Sequence, residues 1–423
     1  MKKIILIAIF NILLFGYDAT IEVVKKGFHV PKIAIENSTP PGAVESSVEN
    51  KFLKLLVGDI KVTSHFQIGD TVYRGDYDDD TIDSSVIEKK TELLLKCKLE
   101  YDSKKRLVAS VKLLNAKSSN KIFEKFYAVS KKERYPFLAH KITIDINDYI
   151  GAPPVKWMER LIVFSKYVSK GRSSIVIADY TLSFQKTIVQ GGLNVFPKWA
   201  NEKQTAFYYT SYNSLMPTLY KVDLYTGTRK KIISGPGMVI CSDVSKDGNK
   251  LLLTLAPNDQ PDIYLYNLST KTKERITKYS GIDVSGNFID NEQRIVFISD
   301  RLGYPNVFAK DIHGDRVEQM IYHGKNNSSC SAFGKYIVYS SRETNSAFGD
   351  NTFNLYLIST ETDFIRKLTS TGKNLFPRFA DTDDTIIFIK HYRRESALGI
   401  IRLNANKSYL FPLKTGKIQS LDW

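Results

Sequence analysis

The heptapeptides NVFPKWA (residues 194–200) and NLFPRFA (residues 374–380) are nearly one sequence written twice, with their prolines, Pro197 and Pro377, 180 positions apart. Looser copies fill the interval. NVFPKWANEKQTAFYYT from Asn194 aligns with MVICSDVSKDGNKLLLT from Met238 and with IDVSGNFIDNEQRIVFIS from Ile282, each step being 44 residues. A second landmark, an alternating stretch that ends in a turn, follows in every unit. It reads LYKVDLYTGTRKKI from Leu219, IYLYNLSTKTKERIT from Ile263, VFAKDIHGDRVEQM from Val307 and LYLISTETDFIRKLT from Leu355, with weaker forms from Ile175 and Ile400. Six units result.

Between the landmarks, AFYYTS, KLLLTL, RIVFIS, YIVYSS and TIIFIK are rich in the β-branched and aromatic residues that suit a pleated surface. Repeats of roughly 40–50 residues, each with about four short strands, are the pattern of a β-propeller. A single four-stranded blade leaves its faces uncovered, so blades stack around an axis until the ring closes. Residues 159–423 are therefore expected to form six blades. The first unit, from Glu159, lacks an innermost strand, while the chain runs past its sixth unit into GKIQSLDW. Residues 418–423 are expected to supply that strand and close the ring. On this reading Trp199 and Phe379 wedge between neighbouring blades, and the prolines break the ladder where the strand leaves the funnel rim.

Residues 20–150 show no such period. IAIEN after Pro31 reads as a strand, and Val44, Val48, Phe52, Leu55 and Leu56 recur at helical spacing. Alternation through Leu95–Tyr101, Leu107–Leu113 and KIFEKFYAVS predicts three more strands, and Leu138, Ile142, Ile146 and Ile150 a second helix. This is a small α/β domain. GAPPVKW places a linker at 151–158, and ATIEVVKKGFHVP ahead of the domain reads either as its first strand or as an arm over about residues 20–30 that pairs with another protein.

The first nineteen residues, MKKIILIAIFNILLFGYDA, have the two lysines and short apolar run of a secretory leader, with cleavage after Gly16 or Ala19. An uncleaved anchor is the other reading, although the run is short for a bilayer. A net charge of +15 invites thoughts of nucleic acid, but the lysines are scattered through strand-like segments rather than massed in a stripe. Cys97, Cys241 and Cys330 have no C-x-x-C spacing and read as buried thiols.

Catalytic and metal motifs are sparse. DYDDDTID spaces Asp76, Asp78 and Asp80 as a calcium loop does, but lacks the glycine and the terminal glutamate such a loop needs, so it reads as a solvated acidic loop. The six histidines include no H-E-x-x-H, and no serine sits in G-x-S-x-G. A hydrolytic or sugar-binding propeller would need carboxylates converging in its channel, for which Asp243, Asp283 and Asp290 are the candidates.

Particular strings resemble the TolB family, periplasmic components of the Tol-Pal system. IVIADYTLSFQKTIVQGGLNVFPKWA is similar to that family's S-D-Y-D-G-x-N stretch and its first P-x-W-S strand. Ser299, Asp300, Arg301, Gly303, Pro305, Val307 and Phe308 match its S-D-R-x-G-x-P-x-[IV]-[YF] blade. SKDGNKLLL at Ser245 resembles its S-P-D-G turn, with Lys246 in place of proline. Leader, arm, small domain and propeller together extend the resemblance over nearly the whole mature chain.

The resemblance implies a periplasmic, monomeric binding scaffold with no catalysis, no cofactor and no metal. Such proteins hold the Pal lipoprotein at the rim of the propeller funnel and offer the N-terminal arm to TolA, and bacteriocins exploit some of them. They help keep the outer membrane drawn in during division, without binding nucleic acid or inserting into the membrane. Carried onto this sequence, the arm contacts are Thr20, Ile21, Glu22, Val23 and Val24. The funnel contacts are the pairs that start the inner strands: Asn194 and Val195, Met238 and Val239, Ile282 and Asp283, Asn326 and Asn327, Asn374 and Leu375. Met238 stands where the family commonly has histidine, which implies a site kept in place but altered in chemistry. A general envelope scaffold, with the arm a buried strand, is the remaining alternative.

Overall fold

The computed structural model describes residues 29–344, 351–382, 384–392 and 395–423, apart from the side chains of Glu88 and Lys325. The expected leader and the arm contacts Thr20 to Val24 lie outside the described residues.

The N-terminal part is a five-stranded sheet in the order β2-β1-β3-β4-β5, with β1 Lys32–Asn37, β2 Gln67–Arg74, β3 Leu93–Tyr101, β4 Leu107–Asn115 and β5 Lys121–Val129. β1 runs parallel to both β2 and β3, and the remaining pairs are antiparallel. Helices α1 (Ser46–Thr63) and α3 (Tyr135–Tyr149) cover one face. Val48, Phe52, Leu56 and Ile60 of α1 recur at helical spacing and meet Leu138, Ile142 and Ile146 of α3 over Leu95, Cys97, Ala109 and Val111. Ser64, in the left-handed conformation at φ 63°, ends α1, and Pro136 sits in the first turn of α3, where its missing N–H costs nothing. The periodicity anticipated both helices and β1, β3, β4 and β5. It missed β2, whose largely exposed residues carry no alternation, and the five-residue helix α2 (Ser84–Glu88).

The rest of the chain is a β-propeller, and among the described residues its strands form four four-stranded sheets and one eight-stranded sheet, the last divided here into V and VI to give sheets I to VI. Sheet II holds Asn194–Trp199, Ala206–Ser211, Thr218–Asp223 and Arg229–Ser234. Sheet III holds Val239–Val244, Lys250–Leu255, Asp262–Asn267 and Lys273–Arg275. Sheet IV holds Asp283–Ile289, Arg294–Ser299, Asn306–Asp311 and Val317–Gln319. Sheet V holds Lys325–Phe333, Tyr336–Arg342, Phe353–Ser359 and Ile365–Lys367, and is joined by one parallel pair, Phe353 with Lys373, to sheet VI. Sheet VI holds Lys373–Phe379, Thr385–Tyr392, Glu395–Arg402 and Lys407–Pro412. Sheet I draws on both ends of this region: Lys417–Asp422 pairs with Ile162–Ser169, which is followed by Arg172–Ala178 and Gln185–Val189.

The twin heptapeptides are the inner strands of sheets II and VI. Trp199 packs with Val163, Ile175 and Ile177 of sheet I, and Phe379 with Val338, Leu355 and Leu357 of sheet V, so both rings fill the wedge between neighbouring sheets. The prolines do something other than end a ladder at the rim. Each lies mid-strand at a β-bulge, where the pairing register skips between Tyr208 and Thr210 and between Leu375 and Arg378. The preceding phenylalanines are forced to positive φ, 54° at Phe196 and 51° at Phe376. Sheet IV repeats the device at Ser285, with φ 58°.

The expected linker at 151–158 is packed down. Val155, Trp157 and Met158 are fully buried in a cluster with Val62 of α1, Ile144 of α3, and Leu421 and Trp423 at the end of the chain. The Trp157 and Trp423 rings meet edge to face at 5.5 Å.

Candidate functional site

Within each propeller sheet the inner strand begins at the same end as the loop between the second and third strands, and this end is the channel mouth. The α/β domain sits at the opposite end, against turns of sheets I and VI. There Tyr409 donates to the Lys61 carbonyl at 2.7 Å, and Tyr180 donates to Asp59.

Bulging aims the residue after each proline inward, and the channel is sealed at that depth by a polar layer. Lys198 Nζ lies 3.1 Å from Asp243 and 3.0 Å from Asp422. Burial alone would lower its pKa, but the two carboxylates outweigh that and raise it. Arg378 crosses to the Cys330 carbonyl at 3.0 Å and to Asn287 at 3.4 Å. The same carboxylates and nearby hydroxyls fasten alternate sheets. Asp422 accepts from the Trp199 N–H, Asp243 from the Phe288 N–H and Ser331 from the Phe379 N–H. Ser420 and Ser329 serve the N–H groups of Phe196 and Phe376. Sheets I, III and V thus supply acceptors to the bulged strands of II, IV and VI.

Above this floor is a cavity of about 230 Å³, bordered by Phe196, Met238, Ile240, Val284, Phe376 and a set of serines. It is an apolar socket with hydroxyl edges. Of the ten residues expected to face the funnel, Met238 alone lines it. Asn194, Asp283, Asn327 and Asn374 are fully buried, and Val195 and Val239 nearly so. The asparagines are consumed in turn building: Asn194 donates to the carbonyls of Ser173 and Gly191, Asn374 to those of Phe353 and Thr371. Asp283 is held by Arg301 at 3.0 Å, and burial raises its pKa. Asn326 and Leu375 are half-buried, and Ile282 is exposed at the rim. Phe196 and Phe376 of the heptapeptides line the cavity, and the positive φ that places each phenylalanine there has no sequence signal.

The carboxylates proposed for hydrolysis do not converge. Asp243 belongs to the polar layer, Asp283 is buried against Arg301, and Asp290 pairs with Arg294 in an exposed turn. The acidic loop at 76–83 carries its own cations: Lys96 donates to the carbonyls of Asp76 and Asp79, and Lys112 to the Tyr77 carbonyl and, at 2.8 Å, to Asp80. Among the described residues no group of three or more His, Cys, Asp and Glu side chains is placed to hold a metal ion, and no helix is long and apolar enough to cross a membrane.

A cluster missed in the sequence joins the two parts of the chain. His140 Nδ1 lies 2.7 Å from Asp59, and its Nε2 makes an ion-pair contact with Asp179 at 3.3 Å, all three fully buried. Burial opposes the charged imidazole, but the two carboxylates hold its pKa up to about 10. Only the adjacent Asp179 and Tyr180, within the ADY string, carried any signal.

The chain matches the family described as the TolB beta propeller domain over residues 159–423. It is 51% identical over 412 residues to the Tol-Pal system protein TolB of Wolinella succinogenes, covering 97% of each chain. Against the Tol-Pal system protein TolB of Helicobacter hepaticus it is 44% identical over 421 residues, covering 99% of each. The crystal structure of TolB from Acinetobacter baumannii superposes with a TM-score of 0.73 over 93% of this chain and 96% of that one, at 20% identity, and so shares the fold. The small α/β domain, the propeller and the full-length similarity lead to one conclusion: the chain belongs to the TolB family of the Tol-Pal system.

Proposed function

We propose that the protein is a periplasmic docking scaffold that seats Pal at the mouth of the channel and offers Thr20 to Val24, outside the described residues, to TolA. On this reading residues 20–150 and 159–423 are separate domains, the six sheets are blades of a ring closed by the strand at 417–422, and 151–158 connects the two. The role that follows is support of outer-membrane integrity and of constriction at division, with bacteriocins as opportunistic ligands of the same mouth.

The observation that carries this reading is the form of the channel. A conduit would be open, and a hydrolase would gather carboxylates; here a charge-paired floor closes a shallow apolar socket at the end opposite the α/β domain. Such a recess suits an inserted protein loop or side chain. The test is calorimetric titration with the peptidoglycan-binding domain of Pal from the same organism, repeated with Met238→Asp and Phe376→Asp. Saturable one-to-one heat, reduced in both variants, is expected. Heat unchanged by either substitution would move the docking site elsewhere.

A further inference from the structure

Sheets II, IV and VI share more than a bulge. Their inner strands correspond residue for residue: Asn194-Val195-Phe196-Pro197-Lys198-Trp199, Asp283-Val284-Ser285-Gly286-Asn287-Phe288 and Asn374-Leu375-Phe376-Pro377-Arg378-Phe379. In each strand the third of these residues takes positive φ, 54° at Phe196, 58° at Ser285 and 51° at Phe376. The N–H of that residue is held every time by a hydroxyl of the preceding sheet, from Ser420 at 3.1 Å, Thr254 at 3.3 Å and Ser329 at 3.2 Å. One backbone device is thus built three times, on every second sheet.

The left-handed conformation is unfavourable for a residue with a Cβ, and strain of this kind gathers where a protein grips a ligand. All three residues line the channel cavity, and all three are half-buried. Two are phenylalanines. The third is a serine, followed by Gly286 where the other strands have proline, so sheet IV presents a hydroxymethyl group where II and VI present a ring. The neighbours of Ser285 along the cavity wall are apolar, namely Val284 of its own strand and Met238 and Ile240 of sheet III. The socket is therefore a three-ring arrangement with one ring missing. Its volume of about 230 Å³ exceeds the ~150 Å³ in which an apolar protein cavity holds benzene.

We propose that the socket takes one aromatic side chain of the protein seated at the mouth, its ring lying over Ser285 and completing the set begun by Phe196 and Phe376. This rests on the reading that Pal docks at this end, and adds the chemistry of the group it inserts. A ring placed there gains aromatic contacts and leaves water for apolar walls, as the central residue of an interface does.

The test is calorimetric titration with the Pal domain of the wild type, Ser285→Ala and Ser285→Phe, repeated with Pal domains in which each exposed aromatic residue is replaced in turn by alanine. Ser285→Phe supplies the third ring from within, on a backbone that carries phenylalanine at two equivalent positions. Thermal midpoints show whether it folds, and Met238→Trp fills the same space from sheet III if it does not. The filled variant is expected to bind Pal about a hundredfold more weakly, and Ser285→Ala to bind as the wild type does. One aromatic replacement in Pal is expected to cost as much, with little further loss against the filled variant. Filled variants that bind Pal as tightly as the wild type overturn the proposal and leave Pal docking outside the socket. Weakening by the filled variant with no contribution from any Pal aromatic overturns the ring and keeps Pal in the socket. Pal inert towards the wild type removes the Pal assignment, and p-cresol followed by NMR then decides the socket: saturable binding that Ser285→Phe abolishes keeps a ring-accepting site, and no binding overturns both.

Discussion

Lys198 Nζ lies 3.0 Å from Asp422 Oδ1, joining the second propeller sheet to the last strand of the chain inside the channel. The carboxylate has three tasks there. It neutralises Lys198, faces Arg378 at 3.7 Å and accepts the Trp199 N–H at 2.9 Å. Removing it leaves Lys198 with Asp243 alone and the buried Trp199 N–H without an acceptor, and an unsatisfied buried donor is costly.

Asp422→Ala is therefore expected to destabilise the protein by about 1–3 kcal/mol. Asp422→Asn keeps an acceptor for Trp199 and loses only the charge, so its cost is smaller. Urea unfolding followed by tryptophan fluorescence orders the two variants. Equal midpoints for Asp422→Ala and wild type would show that the polar layer contributes nothing to stability.

The His140 cluster predicts a pH dependence whose sign is fixed. The imidazole pKa is raised in the folded state to about 10, because Asp59 and Asp179 outweigh the burial that opposes its charge. Its contribution is fully present below the ordinary histidine range, near pH 6.5, and is lost as pH rises from there through about 10. Thermal midpoints should fall across that window, and His140→Gln should be destabilised at pH 6 and should flatten the slope. A variant that loses stability equally at pH 6 and pH 10 would contradict a charged His140.

Much of this architecture was legible because it repeats. The 44-residue period located the inner strands of sheets II, III and IV, and the helical spacing of Val48, Phe52 and Leu56 located α1. The direction of side chains was not legible. Asn194 and Asn374 occupy the places expected of funnel residues, yet a bulge two residues on turns Lys198 and Arg378 inward while the asparagines tie buried turns. A one-residue slip of register exchanges the faces of a strand, and strand composition does not record where the slip occurs. Asp59, His140 and Asp179 were hidden for a different reason: Asp59 and His140 meet across α1 and α3, and Asp179 reaches them only where the propeller packs on the α/β domain.

The three cysteines offer a direct check of burial. Cys97, Cys241 and Cys330 are free and buried, and burial pushes each thiol up, Cys330 to about 12. Thiolate is the reactive form, so all three should resist Ellman's reagent in native buffer and react together in denaturant. Prompt reaction of one thiol in the native protein would show that its sheet opens.

Removing residues 417–423 tests the closing strand against the independence of the α/β domain. The deletion strips the inner strand from Ile162–Ser169 and takes away the acceptors Ser420 and Asp422 that serve Phe196 and Trp199. It also empties the places of Ile418, Leu421 and Trp423 in the cluster that contains Trp157. Stacked sheets lose cover on both sides of a gap, so the loss spreads beyond sheet I. The core of the α/β domain uses none of these residues. Limited proteolysis of the truncated chain is accordingly expected to digest the propeller while leaving a resistant fragment over about residues 29–150, whereas the intact chain resists as a whole. A truncated chain that unfolds at the same urea concentration as the intact one would mean that the last strand closes nothing.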